Sequence, residues 1–322
     1  VLGSAAVGAR SFTTTAGQGL ELMHEALYVA SSHRYPIVMA VCNRALSAPI
    51  NIWCDHSDIM ACRDTGWIQV FCQNNQESFD MTLWAFRVAE DAAVHIPVMV
   101  NLDGFILSHV TEPLLLPEQK DVDKFLPAYK YRLALDPDSP TSHGCFGLPE
   151  IYTEVKMAQE MALRNSRSVL DKGWKEFSDI FGREYKAIET YHGDDARTML
   201  VTMGSLGETA KMVVDEKRAA GEAVGHLNIR LWRPFPTEEF RAAVKEAELL
   251  VVIDRAVSFG YGGPVASELR SQLFSLAKRP RVVDFIVGLG GRDVQAGEFE
   301  DMVKKARAKA CLLYTSDAAD EE

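Results

Sequence analysis

The sequence predicts two α/β domains, each built on a parallel β-sheet covered by helices. In both halves of the 322-residue chain, short runs rich in Val and Ile alternate with amphipathic stretches. Runs such as PIVMAVC and IPVMVNL are apolar at consecutive positions, as strands covered on both faces should be. A proline-rich stretch from Thr111 to Pro149 separates the halves. A two-domain, doubly covered architecture is therefore expected.

The first half predicts an alternation of strands and helices. A small-residue helical pattern is expected to end near Gly8. In the helix that starts near Gln76, the predicted buried stripe is Phe79, Leu83, Phe86 and Ala89. From Phe12 to about Asp103 the elements in order are the strand FTTT, the helix GLELMHEALYVASS, the strands PIVMAVC and WIQVFC, the helix QESFDMTLWAFRVAEDA and the strand IPVMVNLD.

The second half repeats the pattern after a connector. A long amphipathic helix is predicted from Glu150 to Phe181, behind Pro149. Four strand–helix pairs follow: RTMLVTMG with SLGETAKMVVDEKRAAG, HLNIRLW with TEEFRAAVKEA, ELLVVIDR with GPVASELRSQLFSLA, and RVVDFIVG with EFEDMVKKARAKA. We predict a first domain at 1–110, a connector and long helix at 111–193, and a second domain at 194–310.

Both ends of the chain have an unusual composition. The chain opens at Val1 inside a helical pattern, which we interpret as the last turns of a longer helix. Residues 311–322, CLLYTSDAADEE, break the last helical pattern and resemble the in-frame translation of a sequencing adapter. The alternative is a natural acidic tail. This segment is left out of the fold prediction, and Cys311 receives no role.

Composition narrows the functional classes. The chain has 47% hydrophobic and 25% charged residues, a net charge of -11, and no block of Lys or Arg, which argues against nucleic-acid binding. No apolar run is long enough to predict a membrane span. The six cysteines are scattered and no secretory signal precedes them, so a reducing cytoplasm is expected. Their spacing predicts that any iron–sulfur cluster lies on a partner.

The segment from Asn43 to Ile68 is the densest polar stretch, and we expect it to line a cleft or a subunit contact. Arg44 follows the strand PIVMAVC, and ligands of parallel sheets bind at the carboxyl ends of strands. A guanidinium there suits a carboxylate substrate. The alternative is a salt bridge from Arg44 to Asp55, Asp58 or Asp64 that only braces the loop.

Two shorter patterns have weaker chemical meaning. In DHSD, Asp55 is expected to cap a short helix with Asp58 in its first turn, which we prefer to a metal site that includes His56. The turn at Gly17 and Gly19 is expected to expose main-chain N–H groups at a helix start. No glycine-rich segment matches a Rossmann or P-loop pattern.

Ten motifs, in this order, resemble the alpha subunit of the pyruvate:ferredoxin oxidoreductase family from Val1 to about Ala310. They are NRALSAPINIW, DHSDIM, RDTGWIQ, PVMVNLDGF, DKFLP, VTMGS, RLWRPFP, VIDR, FGYGG and GLGGRD. The resemblance implies a thiamine-diphosphate pyrimidine-binding-like domain followed by a transketolase C-terminal-like domain.

The resemblance also implies the activity, cofactors and partners. Pyruvate would be oxidatively decarboxylated to acetyl-CoA in the cytoplasm, as part of anaerobic metabolism. The cofactor would be thiamine diphosphate, shared with a beta subunit. Mg²⁺ and iron–sulfur clusters would lie on partner subunits of the beta, gamma and delta types. Ferredoxin would accept the electrons, and coenzyme A would be the co-substrate. The cofactor supplies the reactive chemistry, and the protein supplies orientation and electrostatics.

The resemblance assigns residue roles as well. Arg44 matches the arginine that contacts the substrate, and Gln18 and Gly19 match the turn beside the cofactor. The glutamate that activates the cofactor's ring is expected upstream of Val1, so the isolated chain is expected to be inactive. No metal ligand is assigned. Asp55, His56, Asp58, Arg63 and Asp64 would support the loop.

Three alternatives remain open. A 2-oxoisovalerate-type enzyme of the same family would differ only in its substrate. A transketolase-like protein or a 2-oxo acid dehydrogenase component would pass its product to a different acceptor. A non-enzymatic assembly scaffold would keep the fold with a degenerate pocket.

Overall fold

Two five-stranded sheets form the core of the chain in the computed structural model, which describes residues 1–308. The predicted segment 311–322 lies outside the described residues. The expectation of two α/β domains is confirmed, and each sheet carries one antiparallel strand at its edge.

The first sheet has the strand order β1-β2-β4-β3-β8. Its four parallel strands end together, with Asn43 beside Asp103 in the pairing of β2 with β4. The strands are Ser11–Thr15 (β1), Ile37–Asn43 (β2), Ile68–Phe71 (β3), Val98–Asp103 (β4) and the antiparallel Leu231–Arg233 (β8).

The second sheet has the order β10-β9-β6-β7-β5. Its parallel strands carry Val and Leu at consecutive buried positions, as the sequence predicts. The strands are Ile188–Tyr191 (β5, antiparallel), Thr198–Thr202 (β6), Val224–Ile229 (β7), Leu249–Asp254 (β9) and Arg281–Ile286 (β10).

Helices cover the faces of the sheets and build the connector. The helix predicted from Glu150 to Phe181 is two helices that meet at Ser166. The helices are Leu2–Ala6 (α1), Gly17–Leu22 (α2), His24–Ser32 (α3), Ser57–Ala61 (α4), Asn75–Ala89 (α5), Gln119–Phe125 (α6), Pro149–Asn165 (α7), Arg167–Phe181 (α8), Leu206–Ala219 (α9), Thr237–Ala243 (α10), Pro264–Leu273 (α11) and Ala296–Ala308 (α12).

The run HLNIRLW does not form one strand. Arg230 interrupts it: β7 stays in the second sheet, and β8 crosses to pair with β3 of the first. The Arg230 side chain is fully buried and is held by Glu77 at 2.7 Å and Glu189 at 2.6 Å. In addition, β5 lies before residue 194, within the predicted connector, and yet it joins the second sheet. The domain boundaries themselves stay a prediction.

The predicted buried stripe of α5 is wrong by about one residue position. Phe79, Leu83 and Phe86 are only partly buried, and of the predicted four only Ala89 is buried. The buried face instead carries Trp84, which stacks on Trp174 of α8 at 4.8 Å between ring centroids. This face also buries polar groups such as Asp80, which pairs with Arg183 at 2.6 Å. A hydrophobicity pattern could not anticipate that polar burial.

Among residues 1–308, no helix is both long and apolar enough to cross a membrane.

Candidate active site

The carboxyl ends of β1, β2 and β4 bring three polar segments of the sequence together at one edge of the first sheet. The turn at Gly17 follows β1, Arg44 follows β2, and Gly104 and Phe105 follow β4. A Cβ atom on Gly104 would lie 2.5 Å from the carbonyl oxygen of Asn43 and 3.1 Å from Cγ of Arg44. Only glycine therefore lets the end of β4 approach Arg44 this closely.

The Arg44 side chain lies partly buried at this edge without an acidic partner. Its guanidinium carbon is 5.3 Å from the ring centroid of Phe105, within the range of a cation–π contact. Its Nε is buried and has no hydrogen-bond partner within the described residues. Over residues 1–308 no carboxylate forms an ion pair with Arg44. A buried donor without a partner is unfavourable unless a ligand supplies the acceptor.

The alternative role of Arg44 is a salt bridge that braces the loop. In the structure the loop is held through the main chain of Arg44 and not through its guanidinium. Asp58 accepts a hydrogen bond from the main-chain N–H of Arg44 at 3.0 Å, not from its guanidinium. Asp64 lies 3.5 Å from Arg233, and Asp55 accepts from Ser57 and Gly290. The aspartates therefore position the backbone of the loop and leave the Arg44 guanidinium available.

Gln18 and Gly19 lie on the exposed turn beside Arg44. The Gln18 amide nitrogen donates to Oγ of Ser47 at 2.9 Å, and to the Ala45 carbonyl at 3.4 Å. Its amide oxygen has no partner among the described residues, so it can still accept a hydrogen bond from a ligand. The expected exposed N–H groups are partly engaged: that of Gly17 donates to Asp58, and that of Gly19 to Ala16.

Asp58 is the centre of a buried network that holds these segments together. It is fully buried and accepts from the main-chain N–H groups of Gly17, Arg44 and Ile59 and from the Asn43 amide. Burial raises the pKa of Asp58 to about 6, although these four hydrogen bonds oppose the rise. Its role is to join β1, β2 and α4.

Asp55 precedes the helix cap instead of forming it. His56 is the N-cap of α4, and Oδ1 of Asp55 accepts from the Ser57 N–H at 2.9 Å. Its Oδ2 accepts from the Gly290 N–H of the second domain at 3.2 Å. The expectation that Asp55 caps α4 is thus wrong by one residue, while its hydrogen bond to the first turn is present.

Arg63 and Asp64 also contact the second domain. Arg63 pairs with Glu268 of α11 at 3.1 Å. Asp64, whose side chain is 69% exposed, faces Arg233 at 3.5 Å. The polar segment is therefore mixed: residues 47–50 are exposed, Asp58 is buried within the first domain, and Asp55 and His56 are buried against the second domain. The expected cleft lining applies only to its first part.

A buried ionic network across the domain contact was not predicted from the sequence. His56 Nε2 lies 2.8 Å from Oδ1 of Asp103, and Arg255 of the second domain donates to Oδ2 at 2.9 Å. The main-chain N–H and hydroxyl of Ser205 donate to Oδ2 as well. Burial disfavours the charged form of Asp103, but His56, Arg255 and Ser205 outweigh burial and hold its pKa below the usual range.

One signal could have identified this network. Asp103 is the last residue of the apolar strand β4, and Arg255 directly follows β9, as Arg44 follows β2. The sequence alone does not say that the carboxyl edges of the two sheets face each other, so nothing connected these residues in advance. The sequence raises the alternative of a metal site formed by His56 with the neighbouring aspartates of DHSD. In the structure the His56 ring contacts Asp103 instead of Asp55 or Asp58.

Known families and proteins resemble this chain over nearly its whole length. Residues 1–173 match the family described as pyruvate flavodoxin/ferredoxin oxidoreductase, thiamine diphosphate-binding, and residues 196–299 match core domain II of pyruvate:ferredoxin oxidoreductase. The pyruvate synthase subunit PorA of Pyrococcus horikoshii is 47% identical over 95% of this chain and 78% of its own length. The PorA subunit of Methanothermobacter thermautotrophicus is 45% identical over 94% and 78%. The ketoisovalerate oxidoreductase subunit VorA of Pyrococcus horikoshii is 41% identical over 94% and 78%.

Solved structures share the fold at low sequence identity. The 2-oxoglutarate:ferredoxin oxidoreductase of Magnetococcus marinus, solved with 2-oxoglutarate, coenzyme A and succinyl-CoA bound, superposes with a TM-score of 0.65 at 18% identity. The similarity covers 95% of this chain and 55% of that chain. A split-gene transketolase gives a TM-score of 0.51 at 14% identity, over 95% and 79%. The family match covers residues 1–173, and relatives are 45% and 47% identical over nearly the whole chain. The chain therefore belongs to the thiamine-diphosphate-binding pyruvate flavodoxin/ferredoxin oxidoreductase family.

Proposed function

We propose that the chain is the alpha-type subunit of an enzyme that oxidatively decarboxylates pyruvate to acetyl-CoA and passes the electrons to ferredoxin. The observation that carries this proposal is the Arg44 guanidinium at the strand edge, partly buried over Phe105 and without an acidic partner. The family and the relatives named as pyruvate synthase subunits support the reaction.

Arg44 would bind the carboxylate of the 2-oxo acid. A guanidinium donates two parallel hydrogen bonds to a carboxylate, which fixes the orientation of the substrate as well as its charge. The Phe105 ring restricts the guanidinium from one side, and the Asp58 hydrogen bond fixes the Arg44 backbone. Because these contacts exist before the ligand binds, little ordering is needed on binding.

Gln18 and Gly19 would border the pyrimidine side of thiamine diphosphate. The free amide oxygen of Gln18 can accept from an amino group of the heterocycle, and Gly19, where a Cβ would lie 3.0 Å from Oγ1 of Thr15, keeps the turn close to β1. The bound cofactor would supply the chemistry that splits carbon dioxide from the 2-oxo acid. Its diphosphate and Mg²⁺ are assigned to a beta-type subunit, with which this chain would share the cofactor.

The electron path would lie on other subunits. Only two groups of three potential metal ligands occur among the described residues, and neither has the grouped thiolates of an iron–sulfur cluster. We therefore assign the clusters to partner subunits, with gamma- and delta-type subunits, coenzyme A and ferredoxin completing the reaction. A cytoplasmic location accords with the unpaired cysteines among residues 1–308.

The test is reconstitution of the chain, extended at its N-terminus to the length of its PorA relatives so that the activating glutamate is included, with beta-, gamma- and delta-type subunits. The purified complex is expected to reduce a viologen dye and ferredoxin only with pyruvate, coenzyme A and thiamine diphosphate together. Calorimetry of thiamine diphosphate binding provides an independent readout. Cofactor binding without dye reduction by any 2-oxo acid would contradict the reaction, and absence of cofactor binding would favour an assembly scaffold.

A branched 2-oxo acid is the second candidate substrate. The 41% identity to the VorA subunit supports it, although the two PorA subunits reach 45% and 47%. Comparing kcat/KM for pyruvate and 2-oxoisovalerate in the same complex distinguishes the two. We expect pyruvate to be preferred.

A further inference from the structure

Three potential metal ligands converge beside α2, and one of them, Glu21, lies four residues after Gly17 of the candidate active site. Glu21 lies at the end of α2, His24 begins α3, and Cys62 follows α4. Cys62 Sγ is 3.3 Å from Oε1 of Glu21 and 3.5 Å from Nδ1 of His24. Nδ1 of His24 is 3.5 Å from Oε2 of Glu21.

These spacings are compatible with a shared zinc ion, with the Glu21 carboxylate approaching Cys62 through Oε1 and His24 through Oε2. With Zn–S bonds of about 2.3 Å and Zn–N or Zn–O bonds of about 2.0 Å, tetrahedral angles separate neighbouring ligand atoms by about 3.3–3.6 Å. The observed distances of 3.3 and 3.5 Å fall within this range. With one ligand atom taken from each residue, all three atoms lie within 4.8 Å of one another, so a rotation of the Glu21 carboxylate would bring them around one ion.

The exposure of the three side chains leaves a fourth position open. Cys62 is fully buried, whereas the side chains of His24 and Glu21 are 34% and 29% exposed. An ion between them would be held from the protein side and would face solvent on the other. Three protein ligands with one open position are typical of zinc sites that retain a water molecule.

The chemistry of the ligand set also favours zinc. A thiolate and an imidazole select a borderline-soft ion such as Zn²⁺ over Mg²⁺ or Ca²⁺. Without a cation, the Cys62 thiol donates a hydrogen bond to the Glu21 carboxylate at 3.3 Å, and burial, followed by the neighbouring carboxylate, raises the pKa of this thiol. A divalent ion would replace the thiol proton, because it stabilises the thiolate beside the carboxylate.

We propose that Glu21, His24 and Cys62 form a zinc-binding site that links the α2–α3 corner to α4. Binding breaks the S–H bond of Cys62, forms the Zn–S bond and releases the thiol proton to solvent. No redox change takes place. The linked helices carry Gly17 and Asp58, so the ion would stiffen the network that positions Arg44.

The test uses the full chain, stripped with a chelator and titrated with Co²⁺ as a spectroscopic probe for zinc. We expect saturable binding of one Co²⁺ per chain, with a thiolate-to-cobalt absorption band, and displacement of the Co²⁺ by Zn²⁺. This readout does not depend on catalysis, so it can fail or succeed separately from the proposed oxidoreductase function.

Three variants locate the site. Cys62→Ser should abolish the thiolate band, and Glu21→Gln should keep the band but weaken Co²⁺ affinity by about tenfold or more. The exposed Cys145 provides the matched control, and Cys145→Ser should bind as the wild type does. Circular dichroism checks that each variant is folded. Absence of saturable Co²⁺ binding, or a thiolate band that survives in Cys62→Ser, would overturn the proposal.

Discussion

At the scale of single residues, the distinction that matters is between arginines with and without an acidic partner. Arg230 and Arg255 are buried and paired with carboxylates, so their charges are used in the fold. Arg44 differs, because its guanidinium contacts Phe105 and its buried Nε lacks an acceptor. An unpaired donor at a strand edge is what a carboxylate-binding residue requires before its ligand arrives.

Arg44→Ala in the reconstituted complex is expected to raise the KM for pyruvate about 10- to 100-fold, because a hydrogen bond to a charged group contributes about 1.5–3 kcal/mol. Arg44→Lys should recover only part of the loss, since an ammonium cannot bind a carboxylate bidentately. Steady-state kinetics measures both. Arg63→Ala is the control, because Arg63 pairs with Glu268 away from the edge. Equal KM values for Arg44→Ala and the wild type would make Arg44 a structural residue.

At the scale of secondary-structure elements, Asp58 explains why a polar loop can be ordered between two apolar strands. One carboxylate accepts from the end of β2, from the start of α2 and from α4 itself. Main-chain donors at these ends would otherwise be left without partners. The candidate site is thus positioned by a hydrogen-bond hub that is separate from the ligand-binding groups.

Asp58→Asn is expected to lower the free energy of unfolding at pH 5 by about 1–3 kcal/mol, because the amide NH₂ would face main-chain donors. The folded-state pKa of about 6 lies above the unfolded value of 3.8. The contribution of Asp58 is therefore fully present below the unfolded pKa and is lost as the pH rises through about 6.

The difference between wild type and Asp58→Asn should consequently shrink from pH 5 to pH 7, as measured by urea unfolding. Asp64→Asn, at a side chain that is 69% exposed, is the control and should stay within about 0.5 kcal/mol of wild type at both pH values. A difference that grows with pH would contradict the assignment.

At the scale of the whole molecule, the two sheets meet through charged groups at their carboxyl edges. Asp103 of the first domain accepts from Arg255 and Ser205 of the second, and β8 physically joins the second half to the first sheet. Such a contact is expected to make the two domains unfold together, because unfolding of either domain would remove the partner of a charged group in the other.

Asp103→Asn is expected to reduce the free energy of unfolding by about 3–5 kcal/mol, since it breaks a buried charge pair. Because the folded-state pKa of Asp103 is depressed, its contribution is present above the unfolded pKa and is lost as the pH falls. Chemical unfolding at neutral pH measures the loss. Asp195→Asn, which removes an exposed pair with Arg218, should have a much smaller effect. Equal losses in the two variants would refute the role of Asp103 at the domain contact.

Much of the fold could be predicted from local patterns. The parallel strands and most helices follow from runs of consecutive apolar residues and from amphipathic stretches, because burial on both faces requires them. The α5 stripe was wrong because its buried face includes Asp80 and Glu77, whose partners come from distant segments. The split of HLNIRLW was missed for the same reason, since the partners of Arg230 are 41 and 153 residues away.

The sequence by itself determined the α/β class, the family and the position of Arg44 at a strand end, because these depend on hydrophobic periodicity and on motifs read along the chain. The tertiary structure alone decided which charges are already paired. It brought Asp103 to Arg255 and His56, and Cys62 to Glu21 and His24, while it left the Arg44 guanidinium without a carboxylate. Pairing depends on distances of a few ångströms between residues far apart in the chain, and no local pattern encodes such distances.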